Sequence, residues 1–414
     1  MSQLLSTKFV AKSLAATVSV LMLSTVANAA TAEQKQIEQL RQEVETLKSL
    51  IQQQQQVQLQ HAAQIQQVKA APAAAGLKSK AGADVSLYGF VRGDANYIIE
   101  GSDSDFSGVK GTTGATKDKL RATANTTRIG LDFKTNIEGA DVGGKIEADF
   151  WGTNKDGDNT NIRLRHAYLT YNNWLFGQTT SNFLGGYSPE MLDFSTNVGT
   201  GTERLPQVRY SLNVAPKTKL LFSAEEGLSK GGDVKYSIPV LTAKVVQGFT
   251  GGEATARAFV EQYKDETVSD RKVGFGVAGG VAFKPIDPLK LGIDVSYVKG
   301  NSNYLLGSNN AYSVVNGSIE QNEAIAANVG ATYQILPKLR STLAYGTIIA
   351  DDDTDFAKAN TGANKTLSQA WINFIYSPVK PIDLGVEYVK GDRKTFEGKK
   401  YNDDRVGFMA KYNF

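Results

Sequence analysis

The chain has 414 residues, with 40 glycines, 17 tyrosines, no cysteine, two histidines (His61 and His166) and a formal net charge of +3. Lack of cysteine excludes disulfide staples and thiolate sites, two isolated histidines leave no histidine-rich metal site, and the charge balance gives no reason to expect a nucleic-acid partner. No apolar run beyond the N-terminus approaches the ~20 residues a spanning helix needs, so the chain is either soluble or a membrane β-barrel, which hides its hydrophobicity by alternation.

Residues 1–29 read as a secretory signal peptide: Lys8 and Lys12 make a basic start, Leu14 to Val26 is a short apolar segment, and Ala27-Asn28-Ala29 is a small-x-small cleavage site. Residues 30–70 read as a coiled-coil arm. Ile37, Leu40, Val44, Leu47 and Ile51 form an apolar seam, which continues in phase through Gln54, Gln58 and His61 and returns at Ile65 and Val68. Isoleucine or valine alternating with leucine favours two strands, and the polar layers can override that rule, so the seam leaves its own strand number open. Residues 71–83, opening on Ala71-Pro72-Ala73, read as a linker.

From Asp84 to Phe414 the hydrophobic period is two. The expected strands are Val85 to Ile99, Thr126 to Asn136, Val142 to Thr153, Ile162 to Tyr171 and Trp174 to Gln178. They continue with Arg204 to Val214, Lys219 to Gly227, Asp233 to Ile238, Leu241 to Phe249, Lys272 to Lys284 and Lys290 to Lys299. The last five are Asn322 to Ile335, Arg340 to Ala350, Thr366 to Ser377, Leu384 to Lys390 and Asp404 to Phe414. Gly251 to Asp270 reads as one loop, and Pro239 as a short turn. On that reading every short turn lies on the side of the termini and the count is even, as a barrel requires. The expected fold is therefore all-β, a 16-stranded antiparallel transmembrane barrel preceded by an α-helical coiled coil, and wide enough for a water channel. The terminal strand shows the pattern best: Val406, Phe408, Ala410, Tyr412 and Phe414 share one face, and Arg405, Gly407, Met409, Lys411 and Asn413 share the other.

A channel of this kind needs a constriction and a field within it rather than a catalytic group. A charge at mid-membrane on the lipid face costs about 2–4 kcal/mol, so the face that carries charges is the lumen face. That rule turns Arg92, Arg128, Arg163, Arg165, Arg209 and Lys145 inward, together with Asp94, Asp132, Glu147 and Asp149. The basic residues come from neighbouring strands and are candidates for one pore-lining wall. Arginine suits carboxylates because its planar fork meets both oxygens. Thr179 to Thr202 is a long Gly- and Ser-rich connection, the candidate constriction loop, with Tyr187, Glu190 and Asp193 near its tip.

The signal peptide, the Gln-rich heptad arm, the leading Tyr88-Gly89-Phe90-Val91-Arg92 strand, the long third outer loop and the terminal Tyr412-Asn413-Phe414 together resemble the DcaP-type outer-membrane porins known from Acinetobacter. The resemblance implies a homotrimer of barrels in outer-membrane lipid and lipopolysaccharide, with periplasmic coiled coils. It also implies a pore favouring small carboxylate solutes such as dicarboxylates. It implies no enzyme activity and no cofactor. Two other readings stay open at this stage: a general porin without selectivity, and a structural tether whose arm reaches peptidoglycan.

Overall fold

A computed structural model describes Glu45 and residues 77–153, 159–185 and 187–414. The expected leader, the heptad arm apart from Glu45, and the first part of the linker lie outside the described residues. From Asp84 the chain forms β1 (Asp84–Gly101), β2 (Thr116–Thr123), β3 (Arg128–Ile137), β4 (Ala140–Thr153), β5 (Asn159–Tyr171), β6 (Trp174–Thr180), β7 (Arg204–Ala215), β8 (Thr218–Glu225), β9 (Val234–Tyr236) and β10 (Val240–Phe249). It continues with β11 (Gly252–Asp265), β12 (Arg271–Ile286), β13 (Leu289–Lys299), β14 (Tyr312–Val315), β15 (Ser318–Gln321), β16 (Glu323–Leu336) and β17 (Leu339–Ala350). A short helix, α1 (Asp355–Ala359), precedes β18 (Asn364–Tyr376), β19 (Ile382–Thr395) and β20 (Lys400–Asn413).

Neighbours along the chain pair antiparallel, and β20 returns to β1 with Tyr412 opposite Val91 and Phe408 opposite Ala95, which closes the sheet. Phe414 completes the seam by exchanging backbone hydrogen bonds with Gly89. Closure leaves no strand edge, the condition for a sheet to cross lipid. Two pairs of strands share one barrel position each. β2 pairs with the upper half of β1 and β3 with the lower half. β9 and β10 both pair with β11. β14 and β15 form a separate hairpin. The barrel therefore has 16 positions.

Two segments differ from the sequence-based expectation, and their effects on the count cancel. Gly252–Asp265 is a full strand, not part of a loop. Its first outward positions are Ala254, Ala256 and Ala258, too small to signal a lipid face, while Thr255, Arg257, Phe259, Glu261 and Tyr263 turn inward and are buried. Pro239 is not a turn. It lacks an N–H and interrupts the ladder between β9 and β10, whose common partner β11 runs past it unbroken. The actual turn is Thr250-Gly251, with Gly251 at φ +84°. The first loop is also shorter than expected, because Thr116–Thr123 pairs with β1.

Alternation then sets two environments. Leu87, Val91, Ile129, Ile146, Leu164, Val277, Leu343 and Phe408 stand exposed on the outside, where lipid is their solvent. Inside, loop 181–203 (L3) and loop 300–322 (L6) enter the barrel and make its apolar core. Phe183 stacks edge-on against Phe259 at 4.8 Å and lies 5.2 Å from Tyr304, and Val198, Leu305, Ile348 and Leu367 complete the cluster. Each such side chain contributes about 1.5–3 kcal/mol by burial, enough to hold a long loop against the wall.

Candidate functional site

The wall formed by β3, β4 and β5 carries the densest charge. Register places Arg128 opposite Asp149 and Asp132 opposite Lys145 across β3 and β4. Across β4 and β5, Asp149 faces Arg163 and Glu147 faces His166, and a bulge between them leaves Arg165 as the extra residue. A bulge inserts one residue without a partner and shifts the phase of the strand beyond it. Arg163, Arg165 and His166 all turn inward as a result.

Arg163 forks onto Asp149, with Nε 2.9 Å from Oδ1 and Nη2 2.6 Å from Oδ2. Arg165 bridges the two acids, donating at 2.7 Å to Glu147 and at 2.7 Å to Asp149. Arg128 comes within 3.4 Å of Glu147, its Nε making no hydrogen bond, and Tyr88 donates its hydroxyl to the other Glu147 oxygen at 2.8 Å. Lys145 lies 3.2 Å from Asp132 and 4.5 Å from the centre of the Tyr88 ring. His166 meets Thr179 through Nδ1 at 2.9 Å.

Three further cations extend this wall. Arg204, half-buried at the start of β7, is close enough to Arg165, Arg128 and Arg163 to feel their charge, and among the described residues no carboxylate pairs with it. Arg209 donates to the Gln207 side chain at 2.9 Å and to the Thr180 carbonyl at 2.6 Å. Lys244 on β10 donates to the carbonyls of Leu184 at 2.8 Å and Gly185 at 3.3 Å. Its cross-strand partner is Arg257, which is committed to Asp294 at 2.6 Å. Among the described residues neither Arg209 nor Lys244 touches a carboxylate.

L3 runs along the opposite wall. Glu190 receives both arms of Arg340 at 2.8 Å, and its carbonyl accepts from Trp371 and Asn373. Glu387 accepts from the backbone N–H groups of Leu192 and Asp193, at 2.8 Å each. Asp193 is fully enclosed, accepting from Ser107 of the first loop at 2.7 Å and from Ser195 at 2.8 Å. Burial pushes its carboxyl up to about 6, against the pull of Arg405 and of these N–H groups. Tyr187 is buried flat over Gly292, where a Cβ would stand 2.2 Å from its ring. Gly346 likewise makes room for the Val198 carbonyl, which a Cβ would approach to 2.3 Å. Arg92 is ion-paired with Asp94 at 2.6 Å, donates to the Leu192 carbonyl and lies 4.3 Å over the Phe194 ring.

The six basic residues singled out in the sequence therefore divide. Arg128, Arg163, Arg165 and Lys145 share one cluster, Arg209 lies on the same wall two strands further on, and Arg92 holds the loop. Of the loop residues, Glu190 is neutralised by Arg340 and Asp193 is sealed against the first loop. Arg204, Lys244, Arg257 and Arg340 were missed. Arg257 lies in the segment that reads as a loop, and Arg340, with Lys244, carries no local sign of its partner. The inward glycines under L3 were a readable signal, since small residues on a lumen face make room for something close.

A closed 16-position barrel with an inserted third loop and a charged lumen is an outer-membrane channel of the porin type. The chain belongs to the DcaP outer membrane protein family, whose model matches residues 18–414. It is similar to the outer membrane channel DcaP of Acinetobacter baumannii, at 61% identity and a TM-score of 0.80, over 82% of this chain and 100% of that one. The fold alone is shared with OmpT of Vibrio cholerae (14% identity, TM-score 0.54, 82% of this chain and 99% of that one). It is also shared with an anion-selective porin from Comamonas acidovorans (11% identity, TM-score 0.54, 80% and 100%). No curated protein sequence matches the chain.

Proposed function

We propose that this channel passes small anionic organic solutes, dicarboxylates in particular, by passive diffusion between L3 and the arginine-bearing wall. The observation that carries the reading is an imbalance of charge. Arg128, Arg163 and Arg165 share two carboxylates, Glu147 and Asp149, and Arg204, Arg209 and Lys244 add positive charge with no carboxylate in contact among the described residues. Three other lumen acids are set back from the water-filled space. Glu225, Glu261 and Glu387 are 1–2% exposed and spend their oxygens on loop donors. Cations held by neutral acceptors keep their field for a passing solute, and attraction at several weak sites lets the solute leave again.

In this reading residues 1–29 are a cleaved leader, residues 30–70 a periplasmic coiled coil, 71–83 a linker and 84–414 the pore, with three copies assembled side by side. The arm is free to contact peptidoglycan while the barrel conducts. The chain acts without chemistry on its solute, as a channel and not an enzyme.

The test is the zero-current potential of the purified protein in a planar bilayer under a salt gradient, first with chloride and then with succinate. An anion-signed potential with succinate-induced current noise is expected. A cation-signed potential overturns the anion pathway, and a potential near zero makes the pore a general porin.

A further inference from the structure

We infer that the outer surface of the barrel carries a binding site for phosphorylated lipid headgroups, formed by Lys235, Lys264 and Arg271 at the loop-side rim. Lys264 on β11 lies directly opposite Lys235 on β9 and directly opposite Arg271 on β12. The row faces outward, because its neighbours Tyr236 and Tyr263, which also pair, turn into the lumen and pack together at 5.9 Å. Three positive charges thus sit side by side on three adjacent strands. With strands about 4.8 Å apart the row spans about 10 Å, the width of one or two phosphate groups.

Like charges placed directly opposite across a sheet destabilise it, and protein groups offset this row only in part. Glu266 is the one carboxylate in contact with it among the described residues, pairing with Lys235 and lying 3.8 Å from Lys264. The Arg271 side chain is exposed, with no acceptor for its guanidinium among the described residues; Asp270 accepts from the Arg271 backbone N–H instead. Among other rim lysines, Lys117 has Glu100, Lys299 has Glu323 and Lys390 has Asp404.

Position identifies the occupant. Below the row, on the same outward face, come Val273, Phe275 and Val277 on β12 and, past Gln262, Val260 on β11, all four apolar side chains exposed. Charges set one step above an apolar band stand at the level of lipid headgroups, with acyl chains below. On the loop side of an outer-membrane barrel that leaflet is built of phosphorylated glycolipid, and an anionic lipid phosphate complements a row with a net charge of about +2.

The experiment titrates bisphosphorylated lipid A, and phosphate-free lipid A beside it, onto the detergent-purified full chain and counts bound lipid by native mass spectrometry. Each unit of net charge at such a surface is worth a factor of about five, so K235Q/K264Q/R271Q, which removes three units, should weaken binding of the bisphosphorylated form about 100-fold. E266Q should strengthen it about fivefold, and K338Q, at a turn on the opposite side, should leave it unchanged. The parent should bind the phosphate-free form weakly. The inference is overturned if phosphate-free lipid A binds the parent as tightly as the phosphorylated form, or if E266Q binds the phosphorylated form no more tightly than the parent does. The first comparison and E266Q decide the matter even where the triple variant does not fold.

Discussion

Replacing Arg209 and Lys244 together with glutamine should reduce the preference for anions while leaving the barrel intact. Both side chains hold neutral carbonyl or amide acceptors, and glutamine retains donors for them. No carboxylate in contact is stranded by the change, so the folding cost is small. The electrostatic effect follows from distance. A carboxylate about 4 Å from one cation in water gains about 1 kcal/mol, a factor of about five in local concentration. Two cations would give a factor of about 25, which screening at 0.1 M salt reduces, since the Debye length there is about 10 Å. The anion-to-cation permeability ratio should therefore fall about three- to tenfold. The assay is the zero-current potential under a tenfold KCl gradient, with single-channel conductance as the check that the pore is open. The companion variant Arg92→Gln, whose parent arginine is paired to buried Asp94, should cost stability more than selectivity. A double variant that keeps the parental ratio within twofold would refute the reasoning, because the unpaired cations would then not set the field.

Glu387→Ala should free the middle of L3. It removes the acceptor of two buried N–H groups, Leu192 and Asp193, at about 1–3 kcal/mol each. Faster hydrogen exchange at those two amides and higher open-channel noise are expected, and unchanged exchange would show that other contacts hold the loop. Asp193→Asn should alter the pH dependence of stability. The folded carboxyl titrates at about 6, above its ordinary 3.8, so the folded state binds the proton more tightly than the unfolded state. Its contribution is fully present below about pH 4 and is lost as pH rises through about 6. The variant should therefore gain stability relative to the parent across that window, read as the difference in urea midpoints, and a flat difference would contradict the burial argument. Deleting Phe414 removes the two backbone hydrogen bonds that join it to Gly89, about 1–3 kcal/mol together. A lower unfolding temperature, read by circular dichroism of the detergent-purified barrel, should follow.

The fold class and the facing of side chains are local properties, and they were legible for that reason. A strand between lipid and water must alternate, so Ile129 against Arg128, or Phe408 against Met409, announces which side is which. The total of 16 positions was legible through parity, although Pro239 and the alanine-faced strand β11 were each misread. Alternation marks a lipid face by apolar bulk, and Ala254, Ala256 and Ala258 supply too little. The resemblance to the DcaP porins came from whole-chain organisation, and it stands on the family match.

What the tertiary structure alone decided is which charges neutralise one another. Glu190 and Arg340 are 150 residues apart and meet because L3 crosses the lumen. Arg165 reaches both Glu147 and Asp149 only because a bulge adds one residue to β5. Register and loop path set those distances, and pairing depends steeply on distance. The sequence by itself therefore determined a barrel with a charged lumen, and the three-dimensional arrangement determined that Arg204, Arg209 and Lys244 have no acidic partner in contact among the described residues.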